Sequence, residues 1–329
     1  MNKRKLVSYS KFGYLFAIPF LVAFLIFTLY PVIFAIVIGF TNYEGAIPGK
    51  LKLLKDPLEN FKYLFKKRRS GEISYFLQAF LNTLRMWLVN FIPQLGLSLL
   101  LAAWFTDNRV KVKGQGFFKV VFYLPNIITA ATVAILFSTL FDHPKGPVND
   151  LLRMVGILKE PFNFWQNKIA SRALIEFIQC WQWYGSTMVV LIAAVIGINP
   201  EIFEASEIDG AGRWKKFWYI TLPSCRPIML FTLVTSMIGG FSMFDIPNLM
   251  RSAGGPDNAT TTLSMYIYNT AFKKPFKYNR AAAASIVLFI IVIIVSSVLF
   301  YLMRDKDAAK MAKEKKAEMK RRKLEEKGV

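Results

Sequence analysis

Few residues in this chain could carry covalent or metal chemistry. His143 is the only histidine, and Cys180 and Cys225 are the only cysteines. One imidazole and two distant thiols do not assemble the three or four nitrogen and sulfur ligands of a zinc site. Their spacing also argues against a structural disulfide, a CxxC redox pair or an iron–sulfur site. No GxxxxGK[ST] phosphate loop occurs, so the chain is no ATPase of that kind. Two features remain. One is a lone carboxylate, Asp245, near the end of an apolar run. A carboxylate at the centre of a bilayer costs about 2.5–3.5 kcal/mol. Asp245 therefore either reaches water at the end of a span or faces a polar cavity, and the sequence leaves both open.

The other feature is residues 199–226, NPEIFEASEIDGAGRWKKFWYITLPSCR. Asn199 is a good N-cap, Pro200 suits the first helical position, and Glu201 and Glu204 complement the helix dipole. Ile202, Ala205, Ile208 and Ala211 recur at helical spacing on one face. Gly210 and Gly212 interrupt that helix. A second short segment, basic and aromatic, covers Arg213–Ile220, and Leu222-Pro223 and Pro227 follow it. In one reading this is an interfacial hairpin, with Trp214, Phe217, Trp218 and Tyr219 at headgroup level and Arg213, Lys215 and Lys216 on anionic lipid. In the other, the first short helix docks its apolar face in a groove of a soluble partner.

The elements that must position these residues follow from composition. Hydrophobic residues make up 54% of the 329 and charged ones 19%, against about 25% charged in an ordinary soluble protein. Mean hydropathy is +0.36. A bilayer core about 30 Å thick needs about 20 apolar residues in a helix. Six charge-free runs qualify or nearly so: Gly13–Phe40, Met86–Phe105, Val120–Phe141, Phe177–Pro200, Pro227–Phe244 (extendable to Met250) and Ala281–Met303. The first follows basic residues, as a signal peptide would. Its run is far longer than the usual apolar region of about 7–15 residues, and no small-residue cleavage site follows. The expected fold class is an all-α membrane protein of six transmembrane helices. Its layout is an arm over 1–12, a six-span domain over 13–303 and a charged tail over 304–329.

The net charge of +21 sits in the segments between the runs. Six spans place both termini on one side. That side, with the loops near 106–119 and 198–226, carries 23 Lys and Arg against 18 opposite. The bias is modest, and Lys66, Lys67, Arg68 and Arg69 run against it. The basic arm and tail nevertheless favour cytoplasmic termini. The tail reads as a solvated, lipid-attracted segment without the aromatics that nucleic-acid binding would favour.

The stretch Glu204-Ala205-Ser206-Glu207-Ile208-Asp209-Gly210-Ala211, followed by Phe217, Ile220, Leu222-Pro223 and Pro227, resembles the EAA loop of binding-protein-dependent ABC importer permeases. Only Ser206 departs from the pattern, where Ala is usual. Further likenesses to the MalF/UgpA-like carbohydrate-importer branch are Asn60-Phe61 with Asn82-Thr83, Phe122-Tyr123-Leu124-Pro125, Phe244-Asp245, and Gly254-Gly255-Pro256 through Thr260-Thr261-Thr262-Leu263.

That resemblance implies a type I ABC importer permease fold with a cytoplasmic coupling loop in a bacterial cell membrane. It implies no covalent chemistry and no cofactor on this chain, ATP and magnesium being held by partner subunits. The expected partners are a second permease subunit, two ATPase subunits, an extracytoplasmic sugar-binding protein and membrane lipid. Coupling would fall to Glu204, Ala205, Ser206, Asp209, Gly210, Ala211, Leu222 and Pro223. Sugar contacts, an oligosaccharide being favoured, would come from Gln182, Trp183, Tyr184, Ser242, Met243, Asp245 and Asn248, with Gln179, Trp181 and Ser236 as further candidates. Against this stand the interfacial role usual for Trp and Tyr near span ends and the packing role usual for single serines. A self-sufficient secondary transporter or channel is the competing reading. It would need coupling carboxylates within the spans, and Asp245 is the one real candidate.

Overall fold

In the computed structural model, residues 10–44, 51–107, 113–251, 254–303 and 318–319 are described. The expected arm and tail therefore lie mostly outside the described residues. Every regular element among those described is helical, apart from an isolated bridge between Thr41 and Leu53. In chain order the helices are α1 Ser10–Phe24, α2 Tyr30–Gly39, α3 Glu59–Phe65, α4 Tyr75–Thr106, α5 Gln115–Ile127, α6 Ala130–Leu140, α7 Pro147–Met154 and α8 Lys168–Ile196. They continue as α9 Pro200–Ile208, α10 Arg213–Lys216, α11 Leu222–Ser224, α12 Arg226–Phe241, α13 Asp245–Met250, α14 Leu263–Phe272 and α15 Tyr278–Met303.

Four helical stretches are long and apolar enough to cross a membrane, Leu15–Gly39, Tyr75–Thr106, Arg226–Met250 and Tyr278–Leu302. Two bent pairs raise the number to six if each is one span: α5 with α6, bent by 91°, and α8 with α9, bent by 73°. The run Val120–Phe141 is thus not one straight helix. Ile128 is extended at φ −70°, ψ 132°, and Thr129 starts a new helix by accepting the Thr132 N–H on its hydroxyl. The run through Phe244 is also interrupted: α12 stops at Phe241, and α13 begins only at Asp245.

Proline reshapes two other stretches without breaking them. A π turn at Leu25–Leu29 precedes Pro31, and another at Phe217–Thr221 precedes Pro223. A helical proline lacks an N–H and crowds the carbonyl four residues back. The turn widens, so that Tyr30 N–H reaches Leu25 O and Leu222 N–H reaches Phe217 O, each five residues back. Both helices therefore continue through their prolines.

The chain divides into two compact units. The first comprises Met1–Leu77 with Tyr266–Leu288. Its core holds Ile38, Leu64, Phe76 and the run Ala281–Ala284. Asn60 pins it by donating its side-chain amide to Gly39 O at 2.9 Å and Thr41 O at 3.0 Å. Most side chains of α1 and α2 are exposed apolar groups, as suits a surface facing acyl chains.

The second unit comprises Gln78–Met265 with Phe289–Val329. One apolar cluster joins Met86, Val133, Phe137, Trp165, Ile175, Ile178 and Met243. A second joins Ala102, Phe105, Met188, Leu191 and Ile192. α5 and α8 meet backbone to backbone, because a Cβ on Gly185 would stand 2.0 Å from Phe122 O. The loop after α13 is tied down by polar groups. Asn82 donates to Asn258 O at 2.8 Å and Thr261 O at 3.1 Å. Arg172 donates to Ala259 O and to Asn82 Oδ1, each at 2.7 Å. Thr83 accepts the Leu263 N–H at 2.8 Å. The asparagines and threonines that carried the resemblance outside residues 199–226 are thus largely buried anchors of loops.

Candidate functional site

Within the second unit a cavity of about 450 Å³ opens between α4, α8, α12 and α13. It lies in the size range of small-ligand sites, about 300–1,000 Å³. Gln182, Trp183, Ser242, Met243 and Asp245 line it, as do Gln179 and Ser236. Tyr184, Asn248 and Trp181 do not. The Tyr184 ring instead packs edge-on against Phe122 at 6.3 Å, and Trp181 against Phe137 at 5.5 Å.

The break between α12 and α13 is what brings Asp245 to the cavity. Ser242 caps α12 through its backbone, and Phe244 leaves the helical region at φ −136°. Thr262 secures the broken segment by donating its hydroxyl to Met243 O at 2.7 Å. Asp245 is exposed in the wall so formed.

Residues that the sequence reading passed over complete the lining. Trp87, Asn90 and Gln94 project from α4, Ser186 and Thr187 from α8, and Thr232 and Thr235 from α12. Gln94 donates to Thr187 Oγ1 at 2.8 Å, and Trp87 Nε1 donates to Ser236 Oγ at 3.2 Å. Such pairing satisfies polar atoms that would otherwise be costly among apolar helices. The available signal was the spacing of Asn90, Gln94 and Ser98 at four-residue intervals inside an otherwise apolar run.

The segment over 199–226 forms the expected helix, turn and second helix. Asn199 caps α9 by accepting the Glu201 N–H at 3.1 Å. At the other end Gly210 N–H bonds Glu207 O at 3.1 Å, and Ala211 N–H bonds Ser206 O at 2.9 Å. That pair of bonds is a Schellman motif, which needs a left-handed residue at the position of Gly210. Gly210 has φ +69°, and a Cβ there would meet nothing within 4 Å. Within this chain, positive φ rather than close approach calls for the glycine.

α9 turns two residues inward. Phe203 packs against Val195, Ile198 and Cys225, and Ser206 is buried, with its hydroxyl on Phe203 O at 2.6 Å. The opposite face is bare: Ile202, Glu204, Ala205, Ile208 and Asp209 are exposed, Ile208 at 89%. Ala211 and Leu222 are half-buried, and Pro223 is exposed. Lys216 pairs with Glu207 at 2.5 Å and ties the second helix to the first. Arg213 reaches Asp107 at 3.2 Å.

A capped helix with a bare apolar face and a polar cavity among apolar helices together frame the comparison with known proteins. Residues 94–310 match the family described as binding-protein-dependent transport system inner membrane component. The chain belongs to that family. Among similar permeases, the lactose transport system permease protein of Rhizobium radiobacter is 32% identical over 281 residues, covering 83% of this chain and 88% of that protein. The arabinooligosaccharides transport system permease protein of Bacillus subtilis (strain 168) is 30% identical, covering 78% and 77%. A chain in the crystal structure of a bacterial alginate ABC transporter, in complex with an alginate pentasaccharide-bound periplasmic protein, superposes with a TM-score of 0.74. It is 24% identical, with 90% of this permease and 94% of that chain covered. At that identity the likeness concerns the fold. This permease is accordingly a multi-pass membrane protein.

Proposed function

We propose that this chain is the transmembrane permease subunit of an ATP-driven, binding-protein-dependent sugar importer, an oligosaccharide being the favoured cargo. The observation that carries this reading is the cavity of about 450 Å³, lined by amides, hydroxyls and indoles within a member of this family. Such a lining suits a hydroxyl-rich solute, which needs donors and acceptors together with a flat apolar surface. The names of the relatives support the same cargo, since lactose and arabinooligosaccharides are both carbohydrates.

In this proposal α9 fills a cleft of a separate ATPase. Glu204, Ala205, Ser206, Asp209, Gly210, Ala211, Leu222 and Pro223 form or brace the contact, Ser206 from within. A second permease subunit completes the path, two ATPase subunits hold ATP and magnesium, and an extracytoplasmic protein delivers the sugar. Translocation proceeds by alternating access without a catalytic residue or cofactor on this chain. Both termini and the loop over 199–226 face the cytoplasm of a bacterial cell. The bare face of α9 supports docking, because Ile202 and Ile208 are exposed there. Trp214, Trp218 and Tyr219 are also exposed and would sit at the headgroups beside it.

Gly210→Val tests the coupling. A β-branched residue at φ +69° costs on the order of 1–2 kcal/mol or more and unwinds the Schellman turn. The expected result is a protein that inserts normally but loses ATPase co-purification and uptake, whereas Gly210→Asn, which tolerates the left-handed region, retains more of both. An active, fully assembled Gly210→Val complex beside a crippled Trp214→Ala or Trp218→Ala variant overturns the docking role. Sugar uptake by the purified chain alone in proteoliposomes, driven by an ion gradient, would instead establish a self-sufficient transporter.

A further inference from the structure

The cavity has many polar groups but a single charge. Among the described residues, Asp245 is the one ionisable side chain that lines it, and no lysine, arginine or histidine does. Its other polar groups are partly committed to one another, Gln94 to Thr187 and Trp87 to Ser236. The Asp245 carboxylate, by contrast, is exposed, with no cation paired to it among the described residues. An ionised carboxylate only accepts hydrogen bonds, and its two oxygens can take two donors side by side. Adjacent sugar hydroxyls present two donors at that spacing. Trp183 is half exposed in the same wall and offers a flat face to the C–H side of a sugar ring. A second carboxylate brought into this space meets like charge and finds no compensating cation among the described residues that line it.

We propose that Asp245 sets the charge class of the solute, so that the cavity takes uncharged sugars and rejects carboxylated ones. This rests on the reading of the cavity as the sugar site. A solved transporter of the same fold is described with the acidic polysaccharide alginate, so the proposal concerns the side chains of this cavity and not the fold.

The test uses the full chain purified in detergent, with tryptophan emission as the readout and Trp183→Phe to assign the signal to the cavity. The probes are uncharged lactose, raffinose and maltotriose, and carboxylated trigalacturonate. For the wild type, at least one uncharged sugar should shift the emission saturably. Trigalacturonate should bind about tenfold more weakly or worse, a gap of about 1.4 kcal/mol. Asp245→Asn should narrow that gap to about threefold or less, weakening the uncharged sugar while admitting the uronate. Equal or tighter uronate binding by the wild type overturns the proposal. So does an Asp245→Asn protein that melts like the wild type and keeps the same ratio. Should Asp245→Asn not fold, the wild-type ratio alone decides. Absence of a Trp183-dependent response to every sugar would instead refute the cavity as the sugar site, which is a different failure.

Discussion

Trp87 occupies the space that a side chain on Gly240 would need: a Cβ there would stand 2.2 Å from Trp87 Cδ1 and 3.0 Å from Trp87 Cβ. Those atoms are near the root of the indole, so the ring cannot simply swing its tip aside. Gly240→Ala should therefore cost about 1–3 kcal/mol through overpacking, read as a lower melting temperature of the detergent-solubilised protein. Combining it with Trp87→Leu should recover part of the loss. Additive losses would mean that the two positions are not in contact.

Arg172 is a second structural keystone. Its guanidinium holds Ala259 O and Asn82 Oδ1, and Asn82 in turn holds two carbonyls of the same loop. Hydrogen bonds to charged groups contribute about 1.5–3 kcal/mol each. Arg172→Met should cost on the order of 2–4 kcal/mol and expose the loop over 254–262 to protease. A melting temperature within error of the wild type would contradict the role of the loop anchor.

Sidedness can be read by labelling, but not at Ser206, because that side chain is buried. A cysteine there would resist reagents whichever way the protein faced. Ile208 at 89% exposure and Met154 at 84% are the informative positions, placed in a background carrying Cys180→Ala and Cys225→Ala. An impermeant maleimide applied to intact cells should label Met154→Cys and spare Ile208→Cys. The reverse pattern inverts the orientation.

Glu44 predicts a modest acid sensitivity. Burial pushes its carboxyl up, but the Lys277 ammonium, which bonds to it, outweighs that together with Asn279 and Arg280. The net effect holds the carboxyl below the usual range. A depressed carboxylate contributes stability above its unfolded pKa of about 4.3 and loses it as pH falls through the folded value. The pair is 28% and 37% exposed, so its contribution should stay below about 1 kcal/mol. Glu44→Gln should melt slightly below the wild type at pH 7 and together with it at pH 3. A difference that persisted at pH 3 would have another origin.

The apolar runs announced the spans, because only a helix satisfies its own backbone in lipid. The caps of α9 were legible for an equally local reason: Asn199, Pro200 and Gly210 act within a few bonds of themselves. The breaks were not. Ile128 and Phe244 are ordinary helix-compatible residues in apolar surroundings, and what bends the chain there is tertiary contact, such as Thr262 on Met243 O. The direction of α9 was hidden as well. Periodicity marked Ile202, Ala205 and Ile208 as one apolar face, yet it is Phe203 that enters the core. An apolar stripe does not say whether its own chain or a partner will cover it. Much of the cavity was missed because Asn90 and Gln94 stand in one span and Thr187 in another, where each alone resembles a packing contact.

The bend between α5 and α6 bears on how genetics at this cavity is to be interpreted. The Gln182 side chain donates to Ile128 O, at the open end of α5, at 3.3 Å, while Asn126 donates to Gln182 O at 3.4 Å. Gln182 is therefore both wall and brace. A Gln182 allele that abolishes uptake scores the collapse of a helix end together with any lost grip on cargo, and suppressors of it should map to the bend as readily as to the wall. Thr235 is the cleaner locus, since its hydroxyl is spent on carbonyls of its own helix, Phe231 O at 2.8 Å and Thr232 O at 3.2 Å. An allele there changes the cavity wall and leaves the bend standing.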